Sequence, residues 1–313
     1  MITAEKLTKR YVGRSAVDAI SFEVEKGEVV GFLGQNGAGK TSTLRMLTGY
    51  MPPTSGSATV AGYDVFHQSL QARRQIGYMP ENVPLYEDMR VKEYLHFMGR
   101  LHGMGGKQLA SRTGEVMELC RISDVRRKMI ASLSKGYRQR VGMAAALVHE
   151  PPLLIMDEPT NGLDPNQIRQ VRSMIRSLGE EHTILLSTHI LPEVEAVCDR
   201  VIIIDKGRIR AEGTPGDLVA TLRTAGTLFL EVEADPQEAE CALARLDGVR
   251  KVNSHRLADG WTKVEVVAES KIDVRAAAYA VVAAAGWPLR ELVLQKASLE
   301  DAFVELTDID NAA

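Results

Sequence analysis

Along most of its first 220 residues the chain alternates between short unbroken apolar runs and longer segments with apolar positions every three or four residues. Unbroken runs of about five apolar residues suit strands buried on both faces, whereas the longer spacing gives a helix one face in a core. The runs at 29–33, 153–157, 183–187 and 201–205 are the clearest strands. Their alternation with helical segments predicts an α/β domain on a largely parallel sheet. Between 82 and 150 the strand pattern lapses, and the segments 91–102, 107–120 and 136–149 read as helices. A helical subdomain therefore interrupts the sheet. Gly207 and the run Glu212-Gly213-Thr214-Pro215 mark turns near the end of this first domain, placed at residues 1–220.

From about Thr227 the pattern changes. Leu228, Leu230 and Val232 alternate along a strand, and Ala239, Leu243 and Leu246 share one face of a helix at 236–246. Strands follow at 249–256 and 262–269, separated by the turn Ala258-Asp259-Gly260. Asp273 can N-cap the next helix, a strand follows at 289–295, and Ser298 with Asp301 forms a capping-box pair opening a last helix. The order β-α-β-β-α-β predicts a small α+β, ferredoxin-like domain over residues 227–313. No catalytic residue types cluster there, which points to an accessory or regulatory role.

Composition narrows the function classes. With 313 residues, 45% hydrophobic and 25% charged, the chain is long enough for two globular domains. The net charge of −3 conceals an asymmetry: from Leu222 onward there are 10 Lys and Arg against 16 Asp and Glu, and before it 28 against 25. Neither part is basic enough to make nucleic acid the main partner. Cys120, Cys198 and Cys241 are widely spaced, as expected of reduced thiols in a cytosolic chain. No signal-peptide pattern opens the sequence, and its longest mostly apolar run, 276–286, is too short to span a bilayer. Any membrane role must come through another chain.

The candidate chemistry begins at Gly34-Gln35-Asn36-Gly37-Ala38-Gly39-Lys40-Thr41, which reads G-x-x-x-x-G-K-[ST] between a buried-strand pattern and a helix opening at Ser42. Glycines let successive backbone N–H groups turn toward phosphate oxygens, and the helix N-terminus adds a partial positive charge. Lys40 can reach the β- and γ-phosphates, and the Thr41 hydroxyl can ligate Mg²⁺. Kinases, GTPases, helicases and transport ATPases all remain open at this point. Downstream, an apolar strand ends in Asp157-Glu158. Asp157 can hold Mg²⁺ opposite Thr41, while Glu158 can polarise an attacking water. Leu133-Ser134-Lys135-Gly136-Tyr137 opens a helix with several cations, a second anion-binding helix N-terminus.

Those last residues resemble the signature motif of the ATP-binding cassette (ABC) ATPases, usually written L-S-G-G-Q. Other matches follow in that family's order. Tyr11 resembles the aromatic that stacks on adenine, and Gly77-Tyr78-Met79-Pro80-Glu81 the loop joining catalytic core to helical subdomain. Asn161-Gly162-Leu163-Asp164 resembles the D-loop, and Ser187-Thr188-His189 the histidine switch. The resemblance spans roughly residues 1–220. It implies two cassettes paired head to tail, each ATP lying between one phosphate loop and the partner's signature helix. Ser134 and Gly136 would then contact the γ-phosphate in trans, flanked by Lys135 and Tyr137; Asp164 would carry information across the interface. His189 would orient the water with Glu158. Glu81 stands where the family usually has a glutamine that approaches Mg²⁺, and Lys135 and Tyr137 replace the common glycine and glutamine.

Together with the carboxyl-terminal unit ending Ser298-Leu299-Glu300-Asp301-Ala302-Phe303, these departures resemble the bacterial exporter ATPases of the gliding-motility, nitrous-oxide-maturation and drug-export type. The implied protein is an ATP- and Mg²⁺-dependent ATPase. It pairs with a second copy and drives a polytopic membrane permease carried on a separate chain, at the cytoplasmic face of the membrane. The segment 82–94 would receive the permease. The alternative is a soluble ABC ATPase acting on a macromolecular complex; such proteins usually carry two cassettes, coiled-coil insertions or zinc modules, and none of these is legible here.

Overall fold

The structure, a computed structural model, describes residues 1–220, 224–269, 272–296 and 298–308. The remaining residues of the expected 227–313 domain, and 221–223 before it, lie outside the described residues. Contacts divide the chain into two units, 1–214 and 215–313. The boundary falls before the turn-rich segment's last proline rather than near residue 220, because the short helix beginning at that proline packs with the last helix of the chain.

The first unit opens with β1 (Ile2–Tyr11) and β2 (Arg14–Val24), then β3 (Val29–Leu33), α1 (Lys40–Leu47), β4 (Ser55–Val60), β5 (Tyr63–Asp64), α2 (Ser69–Arg74) and β6 (Ile76–Met79). Three helices follow, α3 (Val91–Leu101), α4 (Gly106–Leu119) and α5 (Lys135–Leu147). The chain then returns through β7 (Leu153–Asp157), α6 (Pro165–Gly179), β8 (Thr183–Thr188), α7 (Leu191–Val197), β9 (Arg200–Asp205) and β10 (Arg208–Gly213). The six-stranded sheet runs β10-β9-β3-β8-β7-β6, parallel except for the edge strand β10. Every residue of β3, β7 and β8 is buried, which is why these strands read as unbroken apolar runs. A second, antiparallel sheet of order β2-β1-β4-β5 was not foreshadowed by the alternating pattern. Its β1 and β2 are half exposed, and β4 is rich in Ser and Gly, so neither presents a long apolar run.

Two apolar clusters fill this unit. One joins both sheets through residues such as Leu7, Phe22, Phe32 and Leu44; the other joins the parallel sheet to the helical insertion through Met79, Leu95, Ile122 and Leu147. The parallel strands thus end in a layer fixed from both sides, and their carboxyl ends carry the loops of the site described below.

The second unit comprises α8 (Pro215–Ala220), β11 (Thr224–Val232), α9 (Pro236–Leu243), β12 (Val249–Arg256), β13 (Thr262–Glu269), α10 (Arg275–Ala284), β14 (Leu289–Lys296) and α11 (Leu299–Asp308). Its antiparallel sheet has the order β12-β13-β11-β14. Leu228, Leu230 and Val232 point inward with Val264, Val266, Ala239 and Leu243. Ser298 N–H donates 2.8 Å to Asp301 Oδ2, and Asp301 N–H reaches Ser298 Oγ at 3.3 Å, a reciprocal cap on α11. At α10 the N-cap is Val274, not Asp273, whose carboxylate instead accepts from the Arg275 N–H at 3.1 Å.

Candidate nucleotide site

The loop between β3 and α1 turns through Gly39, whose φ of 112° lies in the left-handed region. A Cβ there would also fall 2.5 Å from the Ala16 carbonyl oxygen, so only glycine fits. The turn starts α1 at Lys40, and Gly39, Lys40, Thr41 and Ser42 line the pocket at this helix N-terminus. Lys40 is buried; its Nζ donates to the Gly34 carbonyl at 2.6 Å and the Gln35 carbonyl at 3.2 Å. Arg14, at the start of β2, donates 3.0 Å to the Gly37 carbonyl and brings a second cation to the loop. Nothing in the sequence pattern singled it out.

At the ends of β7 and β8 two carboxylates are held differently. Asp157 accepts from Ser187 Oγ at 2.5 Å and Thr41 Oγ1 at 3.3 Å, which aligns it with the start of α1. Glu158 has a φ of 49°, rare for a residue with a side chain, and its N–H is held by the Ser187 carbonyl at 3.1 Å. That twist aims its carboxylate back into the pocket. Glu158 Oε1 lies 3.2 Å from Lys40 Nζ, and Oε2 lies 2.9 Å from His189 Nδ1. An ionised carboxylate only accepts, so Nδ1 is the donor in this contact. Beneath them Tyr78 is kept neutral: burial foremost, then the Asp157 charge, push its phenol to about 12.

One pocket is lined by Tyr11, Gln35, Asn36, Gly37, Gly39, Lys40, Thr41, Ser42, Glu81, Glu158 and His189, together with Arg14, Ala16 and Asn161. Gly34 and Ala38 complete the loop behind it. Tyr11 is half exposed at the end of β1, with its hydroxyl 3.4 Å from Met51 Sδ. Asn161 Nδ2 donates 2.8 Å to Glu81 Oε1.

The signature residues are elsewhere. Ser134 is the N-cap of α5 and accepts from the Tyr137 N–H. Gly136, Tyr137 and Asp164 line a separate groove with Arg140 and Gln167. Tyr137 donates 2.7 Å to Asp124 Oδ2, and the Lys135 ammonium lies against Gly162. Asp164 caps α6, accepting from Asn166 and Gln167 N–H groups at 2.9 Å each. Buried Glu193 on α7, unremarked in the sequence, accepts from Thr188 Oγ1 at 2.9 Å and from Thr160 Oγ1, tying the loops after β7 and β8 together. Among the described residues no group of three or more His, Cys, Asp or Glu could hold a metal by itself, and no helix is long and apolar enough to cross a membrane.

Comparison with known proteins places this geometry. The family described as ABC transporter matches residues 17–161, and an AAA domain description matches 130–194. The linearmycin resistance ATP-binding protein LnrL of Bacillus subtilis (strain 168) is 34% identical over 308 residues, covering 98% of each chain. The bacitracin transport ATP-binding protein BcrA of Bacillus licheniformis is 34% identical over 319 residues, covering 98% of this chain and 97% of the other. A solved structure titled as the ATP binding subunit of an ABC transporter superposes with a TM-score of 0.64 at 33% identity, covering 70% of this chain and 91% of its own.

Proposed function

This chain belongs to the ABC transporter ATP-binding proteins, and from that premise we propose how its residues divide the work of ATP hydrolysis. Tyr11 stacks on adenine. The loop Gly34, Gln35, Asn36, Gly37, Ala38, Gly39, Lys40, Thr41 and Ser42 wraps the phosphates with N–H groups, an ammonium and the α1 dipole. Thr41 and Asp157 offer adjacent hard oxygens suited to Mg²⁺, which commonly takes one or two carboxylates and fills its shell with phosphate and water. Glu81 adds a further oxygen at the rim. When bound, the ion would neutralise charge on the β- and γ-phosphates.

The observation that carries the reading is the placement of Glu158 between Lys40 and His189. A buried carboxylate aimed into a phosphate pocket can accept a proton from the attacking water, with His189 orienting that water through its outer nitrogen. Ser134, Lys135, Gly136 and Tyr137 would close over the γ-phosphate from a second copy of the chain, with Asp164 at the shared face. The permease would be a separate polytopic membrane chain, holding this subunit at the inner face of the membrane. Relatives named for linearmycin resistance and bacitracin transport favour export of antibiotic-like compounds. The second unit's β-α-β-β-α-β order and strand order support a ferredoxin-like accessory domain.

Glu158→Gln should still bind ATP and pair in its presence, while hydrolysis falls by about 10²–10⁴-fold. Phosphate release and size-exclusion chromatography would measure the two. Undiminished turnover would remove Glu158 from the chemistry. Co-purification with a polytopic membrane protein, rather than ribosomes or DNA, would separate the transporter reading from that of a soluble ABC ATPase.

A further inference from the structure

Glu81 and Asn161 are 80 positions apart and meet because they follow neighbouring strands. In the parallel pair β6–β7, Met79 lies opposite Met156, so both chains leave the sheet at the same edge of the pocket. The two residues are held very unequally. Asn161 sits in a fixed loop: its N–H donates to the Glu158 carbonyl and Leu163 N–H to the Thr160 carbonyl, each at 3.1 Å. Gln139 Nε2 holds the Pro159 carbonyl at 3.3 Å, and Thr160 is anchored on buried Glu193. Glu81, by contrast, is exposed and opens the irregular link into the helical insertion. Among the described residues it makes no ion pair; its carboxylate accepts from the Asn161 amide at 2.8 Å. It also lines the same pocket as Glu158.

We propose that Asn161 is a positioning residue for Glu81: its side-chain amide holds the carboxylate at the rim of the ATP pocket, where it can face the cation. The same bond ties the entry to the helical insertion to the loop that leads into α6. This inference rests on the reading of Glu81 as a cation-facing group. A glutamine at 81 would keep an acceptor oxygen for Asn161 and lose only the charge, so Glu81→Gln separates the hydrogen bond from the charge.

The test is a binding cycle on the full chain, read with a fluorescent non-hydrolysable ATP analogue in Mg²⁺ and in EDTA. The ratio of the two affinities is the gain due to the cation. Asn161→Ala and Glu81→Ala should each lower that gain roughly three- to tenfold, the range of an ordinary net hydrogen bond, because the pair is solvent-exposed. In the Glu81→Ala background Asn161→Ala should add nothing, because the two act as one unit. Asn161→Ser replaces the alanine variant if the latter melts earlier than the native chain. Equal loss from Asn161→Ala with and without Glu81 would overturn the proposal. A gain lowered by Glu81→Ala but untouched by Asn161→Ala would also overturn it, leaving the reading of Glu81 intact. A gain untouched by Glu81→Ala would sink that reading and this inference with it.

Discussion

His149 shows how a single side chain makes the join between helical insertion and sheet sensitive to pH. Its ring stacks on His102 at 3.6 Å with an 11° interplanar angle, and its Nε2 lies 3.1 Å from the Ile76 carbonyl. Burial foremost, then the neighbouring His102, push its pKa down to about 4. Burial lowers His102 as well. A histidine near 6.5 in the unfolded chain takes up its proton before the folded one does, so the unfolded state gains as pH falls. The stability is complete above about pH 6.5 and is lost as pH falls toward 4. Between pH 7 and 5 the His149 share should be on the order of 1–2 kcal/mol, measurable by urea denaturation at the two values. His149→Gln should shed most of that drop, and an equal drop in the variant would clear His149 of it. None of this was legible in the sequence, where two histidines distant in the chain carry no pattern. Lys40, Asp157 and Glu158 were legible because their chemistry sits in short contiguous motifs. Arg14, Glu193 and the Asn161–Glu81 bond were not, since each depends on loops brought together from different strands.

Between elements, α5 packs hard against β6. A Cβ on Gly77 would overlap the Ala146 carbonyl oxygen, a backbone atom that cannot move without the helix. Val141 to Leu147 of α5 are buried all round, and the small residues Ala144, Ala145 and Ala146 among them let the helix approach closely. Gly77→Ala should therefore lift α5 and destabilise the first unit by about 1–3 kcal/mol, seen as an earlier urea midpoint with an unchanged slope. It should also disturb Ser134 at the start of the same helix; an unchanged midpoint would mean the contact is not needed. At this scale the sequence was informative where one physical force dominated. Strands buried on both faces announced themselves as β3, β7, β8 and β9, and the three insertion helices fell within a residue or two of their predicted ends. The antiparallel sheet did not, because its half-exposed strands mix apolar and polar positions. The contact boundary at Thr214 differs from the sequence reading for a related reason: α8 is six residues long, and its place is decided by packing with α11 rather than by its own pattern.

For the molecule as a whole, the disjoint linings of two surfaces lead to a consequence for assembly. The pocket with Lys40, Glu158 and His189 and the groove with Gly136, Tyr137 and Asp164 share no residue. If both contact one ATP, the second coming from another copy as proposed, a head-to-tail pair with two-fold symmetry supplies two such sites at once. Turnover should then rise faster than linearly with protein concentration. A stricter measurement uses two defective chains. Lys40→Ala spoils the phosphate loop, and Ser134→Arg puts bulk on the exposed start of α5. Each alone should be nearly inactive. Mixed in equal amounts, a hybrid pair joins the intact loop of the Ser134→Arg chain to the intact signature of the Lys40→Ala chain. With random pairing half the dimers are hybrids and each has one whole site, so activity should recover to at most about a quarter of native. Were one chain sufficient, Ser134→Arg would retain turnover by itself, and mixing would give only the average of the two preparations.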